Sequence, residues 1–419
     1  MHPVTRRQFC RITSLSSLAW MAANHFGLAD DLPAPRRAAK ARAMIMLWMG
    51  GGPSQIETFD PKPGLAIGGP TKAITSAVPG IEIAAGLPLV AEQMEHIALV
   101  RSMMTKEGDH ERGTYLMKTG YRPNPTVVHP ALGAICAAEL PEDGVEIPRY
   151  ISILSGDRAT RGGYLGEQFD AFRTYDPRNP LTDVESSLSE DRRAKRLEDL
   201  DVVERSFAQR HSAQSRRTLH RETVDRALKM MSSEQIKAFK IDEEPVALRD
   251  AYGDTPFGRG CLAARRLIQV GVRCVEVALN GWDTHVNNFN GTAVQTKQLD
   301  PGFAALIRDL REHELLDSTI VLCTGEFGRT PKINPADGRD HWPAGFSIAL
   351  AGGGIRGGQA IGETDPAGAP MPKDPVSVDD IYATVLSAMG IDPAKRYITP
   401  IGRPIKLSEG APIEQLLPG

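Results

Sequence analysis

Side chains that bind metal ions in proteins occur in three short segments of the chain. Asp283 and His285 lie in NGWDTH, Glu326 lies in TGEFGRTP, and His341 lies in GRDHWP. Residues two apart in an extended chain point to the same side, so Asp283 and His285 can face one ion. Three such ligands with an open position are what a hydrolytic metal site requires. An Asp-x-His pair by itself is also typical of a hydrogen-bonded loop.

A fourth segment, GDHERG, places polar side chains just before a predicted helix. Asp109 and His110 come first, and Arg112 follows. A helix start offers free N–H groups and the positive end of the helix dipole, so an anionic ester could dock there beside His110. Asp109 could instead simply cap the helix. Arg329, in TGEFGRTP, is a second candidate for balancing substrate charge.

These segments adjoin apolar runs that are typical of strands buried on both faces. The first run is AMIMLWM, which leads into three glycines and a proline. Helical patterns lie between the runs at 130–140, 257–271 and 302–316. The alternation predicts an α/β fold with a mostly parallel central sheet flanked by helices and with its chemistry at the carboxyl ends of the strands. The other runs are IALVRSM (97–103), RYISILSG (149–156), RCVEVALNGWDTH (273–285), TIVLCTGEFG (319–328) and FSIALAGGGI (346–355).

The segment from about 182 to 250 has a different composition. It is rich in Arg, Glu, Lys and Ser, shows helical spacing and has little strand signal. We interpret it as a helical insertion whose charged residues form a solvated face, with a lid over the site or a partner surface as the alternative.

The first 29 residues are typical of a twin-arginine signal peptide. Arg6 and Arg7 precede a moderately apolar run, Ile12 to Leu28, and cleavage is expected after Ala29. Polar residues interrupt this run, so it is too broken to span a membrane. The alternative is an amphipathic helix with a chance arginine pair. We expect a linker at 30–41, a mature domain at 42–419, and a periplasmic or extracellular location with no membrane span after cleavage.

The composition restricts the partners of the chain. The 419 residues carry a formal net charge of -3 and contain no long basic run, so a nucleic-acid partner has no electrostatic support. Five cysteines are present, and the four beyond Cys10 are widely spaced in mostly apolar settings. We expect these four to be buried thiols and not a disulfide framework.

The motifs also carry a family resemblance. The chain resembles the exported bacterial family labelled "domain of unknown function 1501", within the alkaline phosphatase and sulfatase-like superfamily. The resemblance covers most of the chain from Met44 to Leu407 and implies an alkaline-phosphatase-like fold. The motifs that carry it are GGGPSQIETFDPKPG, GDHERGTYLMKTGY, NGWDTHVNNF, TGEFGRTP, GRDHWPAGFSIALAGGGIRGG and VSVDDIYATVLSAMGID.

The resemblance implies a nucleophile position and one altered metal position. The stretch ending in KTGY is similar to the sulfatase segment whose nucleophile opens a helix, which puts His110 at that position. No Ser, Thr or Cys stands there, and the nearest hydroxyl belongs to Thr114. TGEFG looks like the superfamily's TSDHG, so Glu326 would replace a ligand aspartate and Phe327 a ligand histidine.

The other metal position looks intact by the same resemblance. His341 matches a late histidine ligand, and Asp283 with His285 resembles the Asp and His pair of the same ion, although the usual spacing is longer. The aspartate that normally ends the first strand is absent, and Gly50 to Gly52 take its place. The second ion of the superfamily is therefore left with Glu326 alone.

These residues suggest an exported metal-dependent hydrolase of a phosphate or sulfate ester. Asp283, His285 and His341 would bind the ion, Zn²⁺ or Mn²⁺ in preference to Ca²⁺ or Mg²⁺, and Glu326 would complete the site or form a hydrogen bond within it. The substrate would be a small anionic ester or a sulfated or phosphorylated glycan.

His110 would act as nucleophile or general base, with Arg112 and Arg329 as charge partners. One alternative is a catalytically silent relative that binds a glycan, an anion or a protein partner in the same cleft. Another is an isomerase or transferase that works through a phosphohistidine at His110.

Overall fold

The first apolar run forms β1 (Ala43–Trp48), a central strand buried along its whole length. Its side chains alternate between two hydrophobic cores, with Ile45 in one and Met44 and Met46 in the other. A strand covered on both faces has no solvated side, which is why all of its residues are apolar.

The structure, a computed structural model, describes residues 41–141, 144–156, 159–182, 184, 188–210 and 220–418. The predicted signal peptide and nearly all of the predicted linker lie outside the described residues. None of the helices that are described is both long and apolar enough to cross a membrane.

Fourteen strands occur in the described part of the chain. The strands that follow β1 include buried strands of the central sheet and the strands of short two-stranded sheets. In chain order the strands after β1 are β2 (Ala73–Thr75), β3 (Glu82–Ala84), β4 (Ile97–Met103), β5 (Tyr150–Ile153), β6 (Phe172–Thr174), β7 (Cys274–Ala278), β8 (Thr319–Thr324), β9 (Gly328–Arg329), β10 (His341–Trp342), β11 (Phe346–Ala351), β12 (Gln359–Ile361), β13 (Arg396–Ile398) and β14 (Pro404–Lys406).

Eight of the described strands form one sheet in the order β12-β4-β11-β8-β1-β7-β5-β6. β11 runs antiparallel to both of its neighbours, β4 and β8, and every other pair in this sheet is parallel. The start of β11 therefore lies at the edge where the other seven strands end. This sheet confirms the predicted mostly parallel α/β fold.

Helices cover both faces of the sheet. The long helices α7 and α8 contribute Leu262 and Phe303 to the core on one side, while α2, α3 and α9 contribute Leu116, Ile135 and Val385 on the other. The described helices, in chain order, are α1 (Pro88–Glu92), α2 (His110–Thr119), α3 (Leu132–Glu139), α4 (Glu190–Arg210), α5 (His220–Ser232), α6 (Val246–Tyr252), α7 (Pro256–Gln269), α8 (Asn288–Glu312) and α9 (Val378–Ala388).

The six predicted strands are all present. Two details differ from the prediction, one at the end of a strand and one at the start of a helix. β7 ends at Ala278, so Asp283 and His285 lie in the loop beyond the strand and not in an extended strand. The helix predicted at 302–316 begins earlier, at Asn288, runs through Pro301 and ends at Glu312. The described residues between about 182 and 250 include α4, α5 and α6.

The thiols outside the predicted signal behave as expected. All four lie in buried positions and are free. Burial raises the pKa of each thiol, so the neutral form is favoured and the side chains pack as small apolar groups. The four residues are Cys136, Cys261, Cys274 and Cys323.

Candidate metal centre at the carboxyl edge of the sheet

The predicted metal-binding residues meet at one edge of the sheet. Asp283 and His285 follow β7, and Glu326 follows β8. His341 reaches the same edge by another route, since it precedes the antiparallel β11 and pairs with Arg329 in the β9–β10 hairpin. Two loops and one hairpin, distant in sequence, therefore converge on one point.

Three of these residues present ligand atoms to one another at short range. Nε2 of His285 lies 3.0 Å from Nε2 of His341 and 3.2 Å from Oδ1 of Asp283. Nε2 of His341 lies 3.3 Å from the same carboxylate oxygen. Ligand atoms about 2.0–2.1 Å from a tetrahedral zinc ion stand roughly 3.3 Å apart. The spacing of the trio thus matches one face of such a site.

The outer nitrogen of each ring shows where its proton lies. Nδ1 of His341 is 2.7 Å from the carbonyl oxygen of Gly108, which can only accept, so this nitrogen donates. Nδ1 of His285 donates in the same way to Oδ1 of Asp340, at 2.7 Å. This hydrogen bond lowers the pKa of Asp340 and keeps the carboxyl an acceptor. In the neutral rings both Nε2 atoms then carry lone pairs that face each other.

His110 is the fourth member of the cluster. Its Nδ1 lies 2.7 Å from Oε1 of Glu326, and its Nε2 lies 3.3 Å from Oδ2 of Asp283. Ligand atoms of His110, Asp283 and His341 all lie within 4.8 Å of one another. Nε2 of His110 is buried and makes no hydrogen bond to any described residue. The hydrogen bond to Glu326 raises the pKa of His110 and outweighs the opposing effect of burial.

Glu326 lies behind His110 and is almost fully buried. Its Oε1 accepts from Nδ1 of His110 and, at 2.9 Å, from the backbone N–H of Gly51. Its Oε2 has no hydrogen-bond partner among the described residues. A carboxylate that accepts from the outer nitrogen of a histidine fixes the tautomer and orientation of that ring. Its predicted place as a direct metal ligand stays a prediction.

The glycine segment after β1 is packed against Asp283. Gly51 has a φ of +113°, and a Cβ there would lie 2.5 Å from the backbone nitrogen of Asp283. Only glycine fits both the backbone angle and the space. The amide of Gly51 meets an anion of the chain itself, the Glu326 carboxylate. The segment thereby joins the Asp283 loop to the Glu326 loop.

Arg329 is the cation of the centre, and its side chain is 0% exposed. Its Nη2 donates to Oδ1 of Asp283 at 2.6 Å and also to the carbonyl of Gly51. Nε donates to the carbonyl of Gly52, and Nη1 donates to that of Arg339. These contacts orient Asp283 and anchor the glycine segment. The predicted contact of Arg329 with substrate charge stays a prediction.

The pKa values of two candidate ligands, Asp283 and His341, are both lowered, but by different causes. Partial burial raises the pKa of Asp283, but the hydrogen bond and the charge of Arg329 outweigh it and hold the pKa below its usual value. Burial lowers the pKa of His341. An ionised carboxylate and a neutral imidazole are the forms that bind metal ions.

Phe327 lies against the rings of the cluster. Its side chain is fully buried, with its ring centroid 4.5 Å from that of His341 and 5.1 Å from that of His110. Phe327 therefore packs an apolar ring against both imidazoles.

The N-terminus of α2 is capped by Asp109, the residue that precedes the helix. Asp109 accepts a hydrogen bond from the backbone N–H of Arg112, so the capping interpretation holds. The Arg112 side chain is 61% exposed and pairs with the buried Glu107 at 3.1 Å. Docking of an anion at this helix start stays a prediction.

Two contributions to the site were not predicted. The first is the carboxylate of Asp340, which orients His285 by accepting a hydrogen bond from its Nδ1. The second is the buried pair of Arg339 with Glu57, at 2.8 and 3.0 Å, which ties the loop before His341 to the segment after the glycines. Both acidic residues lie inside the family motifs, which is the signal that could have singled them out.

The chain belongs to a protein family without an assigned activity. The family model described as "Protein of unknown function (DUF1501)" matches residues 41–417, as the motifs predicted. No curated protein matches the chain significantly.

Several solved structures resemble it. One is a protein in the alkaline phosphatase superfamily from Vibrio parahaemolyticus, with 12% identity, a TM-score of 0.35, and coverage of 85% of this chain and 69% of that one. The periplasmic domain of EcEptC from Escherichia coli, in complex with Zn, has 9% identity, a TM-score of 0.36 and coverage of 77% of each chain. PsFucS1 sulfatase from Pseudoalteromonas sp. has 12% identity, a TM-score of 0.38, and coverage of 93% and 72%. The fold class of this chain rests on its own sheet.

Proposed function

We propose that the chain is a metal-dependent hydrolase of a phosphate or sulfate ester. The observation that carries this proposal is the convergence of Asp283, His285 and His341, whose ligand atoms stand 3.0–3.3 Å apart. Two imidazole lone pairs and a carboxylate oxygen repel one another at this range, and a cation among them removes the repulsion.

The same three residues fit a divalent ion by their chemistry. Imidazole nitrogen with a single carboxylate oxygen suits Zn²⁺ or Mn²⁺ better than the all-oxygen shells of Ca²⁺ and Mg²⁺. The outer nitrogens of both rings are already held by Asp340 and by the Gly108 carbonyl, as in most histidine metal sites. A divalent ion held there would supply Lewis-acid stabilisation of charge on an ester oxygen.

His110 is the residue suited to attack the ester or to take a proton. Its Nδ1–H donates to Glu326, so its Nε2 carries the free lone pair in the neutral ring. The buried carboxylate would stabilise the positive charge that develops on the ring when Nε2 forms a bond or accepts a proton. Glu326 thus acts through His110 as a positioning residue, and Asp283 faces the reactive nitrogen.

The substrate class rests on the proposed ion, whose positive charge would attract the oxygen atoms of an anionic ester. An ester that carries a phosphate or sulfate group would bring oxygen atoms to the ion and to the ring of His110. The twin-arginine pattern at Arg6 and Arg7 supports export of the folded, metal-loaded chain to the periplasm or beyond. Loading before export would suit a site built from four separate parts of the chain.

A second candidate is a catalytically silent protein that binds an anion or glycan at the same edge. One observation favours it. The guanidinium of Arg329 is buried among carbonyls and Asp283, and that of Arg112 pairs with Glu107, so neither cation points freely toward a substrate. This candidate keeps the ligand trio but predicts no turnover.

The test measures metal content and turnover on the same preparations. The mature chain is purified after expression with Zn²⁺ or Mn²⁺, its metal is determined by mass spectrometry, and aryl phosphates and sulfates are assayed. We expect about one ion per chain, with loss of ion and turnover in His285→Ala. His96→Ala, a histidine substitution outside the cluster, serves as the matched control and should change neither quantity.

Two outcomes would decide against the hydrolase. A wild-type chain without metal, or a His285→Ala chain with unchanged metal and turnover, removes the basis of the proposal. A chain that binds the ion through the trio but hydrolyses no ester in the panel supports the silent binding protein.

A further inference from the structure

A cavity of about 760 Å³ is lined in part by His110. It is bounded by one face of α2 and by two loop segments, 128–129 and 159–161, together with Gly156 beyond β5. Its volume lies in the range of about 300–1,000 Å³ that is usual for small-molecule sites.

His110 belongs both to this cavity and to the metal centre. Its ring lies 3.3 Å from Asp283 on the cluster side, and the same residue lines the cavity wall. One turn further along α2, Thr114 and Tyr115 continue that wall. A group bonded to a phosphate or sulfate at the cluster would therefore extend into this space.

The lining offers hydroxyl groups and little net charge. The hydroxyl of Thr114 makes no hydrogen bond to a described residue. The two charged side chains of the lining, Glu111 and Arg161, have opposite signs and lie at exposed or half-exposed positions. The apolar part of the surface includes Val128, which is 49% exposed. Such a surface suits a neutral, hydroxylated group better than a second anion.

The far wall is held rigidly. The Tyr115 hydroxyl accepts from the backbone N–H of His129 at 2.7 Å and lies 3.0 Å from Nδ1 of the same residue. The His129 ring stacks on Tyr121, with centroids 4.5 Å apart and an interplanar angle of 7°. A wall that is already ordered loses little entropy when a ligand binds.

From these features we propose that the cavity binds the alcohol part of the ester, and that this part is a sugar ring. The orientation of the ester rests on the proposed function, whereas the binding of the ring does not. Tyr115, Thr114 and Val128 would then determine which rings are accepted. The hydroxyl groups of the sugar would meet Thr114 and its carbon face would meet the apolar wall.

The first test measures ring binding without catalysis. Neutral methyl hexosides of glucose, galactose and fucose are examined by saturation-transfer NMR with the wild-type chain, Val128→Trp and Val246→Trp. Val246 is also an exposed valine, at 61%, but lies outside the cavity and is the matched control. We expect binding by the wild type and the control, and its loss when Trp fills the cavity.

A second test places the ring on an ester. Glucose 6-phosphate and glucose 6-sulfate are compared with methyl phosphate and methyl sulfate, and Val128→Trp should lose at least tenfold more kcat/KM on the sugar esters than on the methyl esters. Equal hexoside binding by all three chains, or binding of benzyl alcohol in place of the hexosides, overturns the sugar site. Absence of turnover with cavity-dependent hexoside binding overturns the hydrolase alone and supports the sugar site.

Discussion

Two groups of polar residues, the buried Arg339–Glu57 pair and the candidate metal centre, differ in how their polar atoms are paired. In the buried pair, Arg339 meets both oxygens of Glu57, at 2.8 and 3.0 Å, and the remaining guanidinium donors reach backbone carbonyls. In the metal centre, lone pairs of His285 and His341 face each other and an Asp283 oxygen. The first group satisfies its own charges, whereas the second gathers ligand atoms of three residues around one carboxylate oxygen that Arg329 neutralises in part.

The difference supports a structural role for the first group and agrees with the metal-binding role proposed for the second. A buried ion pair with complete hydrogen bonding holds two segments in one geometry, here the loop before His341 and the segment after the glycines. A convergent set of acceptors adds repulsion to the fold unless a cation joins it. The Arg339 pair therefore supports the loops whose ligand atoms remain available.

We expect the largest effect, a loss of unfolding free energy, from breaking the buried Arg339–Glu57 ion pair. Arg339→Met leaves Glu57 as an uncompensated buried charge, which costs about 3–5 kcal/mol of unfolding free energy. Chemical denaturation measures this loss. Arg178→Met removes an exposed pair with Asp254 and should cost less than about 1 kcal/mol. Similar small losses for both variants would mean that the buried pair does not support the loops.

The buried His129, which also lies near the cation Arg403, should show the next effect, through pH. Burial lowers the pKa of His129 to about 4 from its ordinary value of 6.5. The unfolded chain then binds a proton that the folded chain does not, so stability falls as the pH drops from 6.5 toward 4. The loss reaches about 3 kcal/mol, at 1.36 kcal/mol per pH unit.

Denaturation of wild type and His129→Gln at several pH values tests this effect. The variant should have a shallower slope below pH 6.5, whereas His96→Asn should keep the wild-type slope. Parallel curves for wild type and His129→Gln would show that His129 titrates normally in the folded chain.

The charge behind His110 should matter less to stability and more to activity. Glu326→Gln keeps an oxygen acceptor but removes the negative charge that faces Nδ1 of His110. Loss of such an outer carboxylate typically costs about 10–100-fold in activity or metal affinity. We expect this drop in kcat/KM on the ester panel with the ion retained. Glu312→Gln, an exposed change at the end of α8 and outside both the cluster and the cavity, should leave kcat/KM within about twofold. Equal losses for the two variants would contradict the positioning role.

The smallest expected effect is the change in unfolding free energy when His285 is replaced in the metal-free protein. It tests directly whether this histidine, unlike Arg339, is dispensable for stability. In metal-free protein, His285→Ala removes one of the repelling acceptors and should change the unfolding free energy by about 0.5 kcal/mol or less. With Zn²⁺ at a hundred times its dissociation constant, wild type should gain about 2.7 kcal/mol and the variant should not. Thermal denaturation with and without the ion measures both; a large loss in the metal-free variant would show that the histidine is a structural residue.

Much of the fold could be predicted from local pattern. The continuous apolar runs of β1, β4, β5, β7, β8 and β11 predict strands covered on both faces, because only such strands lack a polar side. The edge strands β6 and β12 were missed. Each has only three residues and at least one exposed position, so neither carries a buried run.

The ligand types could also be predicted, but not how they meet. Asp283, His285 and His341 could be predicted as metal ligands from their residue types and from the motifs in which they lie. The alternation argument for Asp283 and His285 was not the reason they converge, since both lie in a loop beyond β7. The packed glycine segment and the buried Arg329 orient the Asp283 carboxylate instead.

The sequence by itself thus determined the strands, the buried thiols and the identities of the candidate metal-binding side chains, because hydrophobic pattern and ligand chemistry are local properties. Only the tertiary structure decided that His341 reaches the carboxyl edge through the antiparallel β11, and that the Glu326 carboxylate contacts Nδ1 of His110. Those facts depend on strand direction and on contacts between segments some 200 residues apart, such as His110 and Glu326, separated by 216 positions. No local pattern encodes such distances.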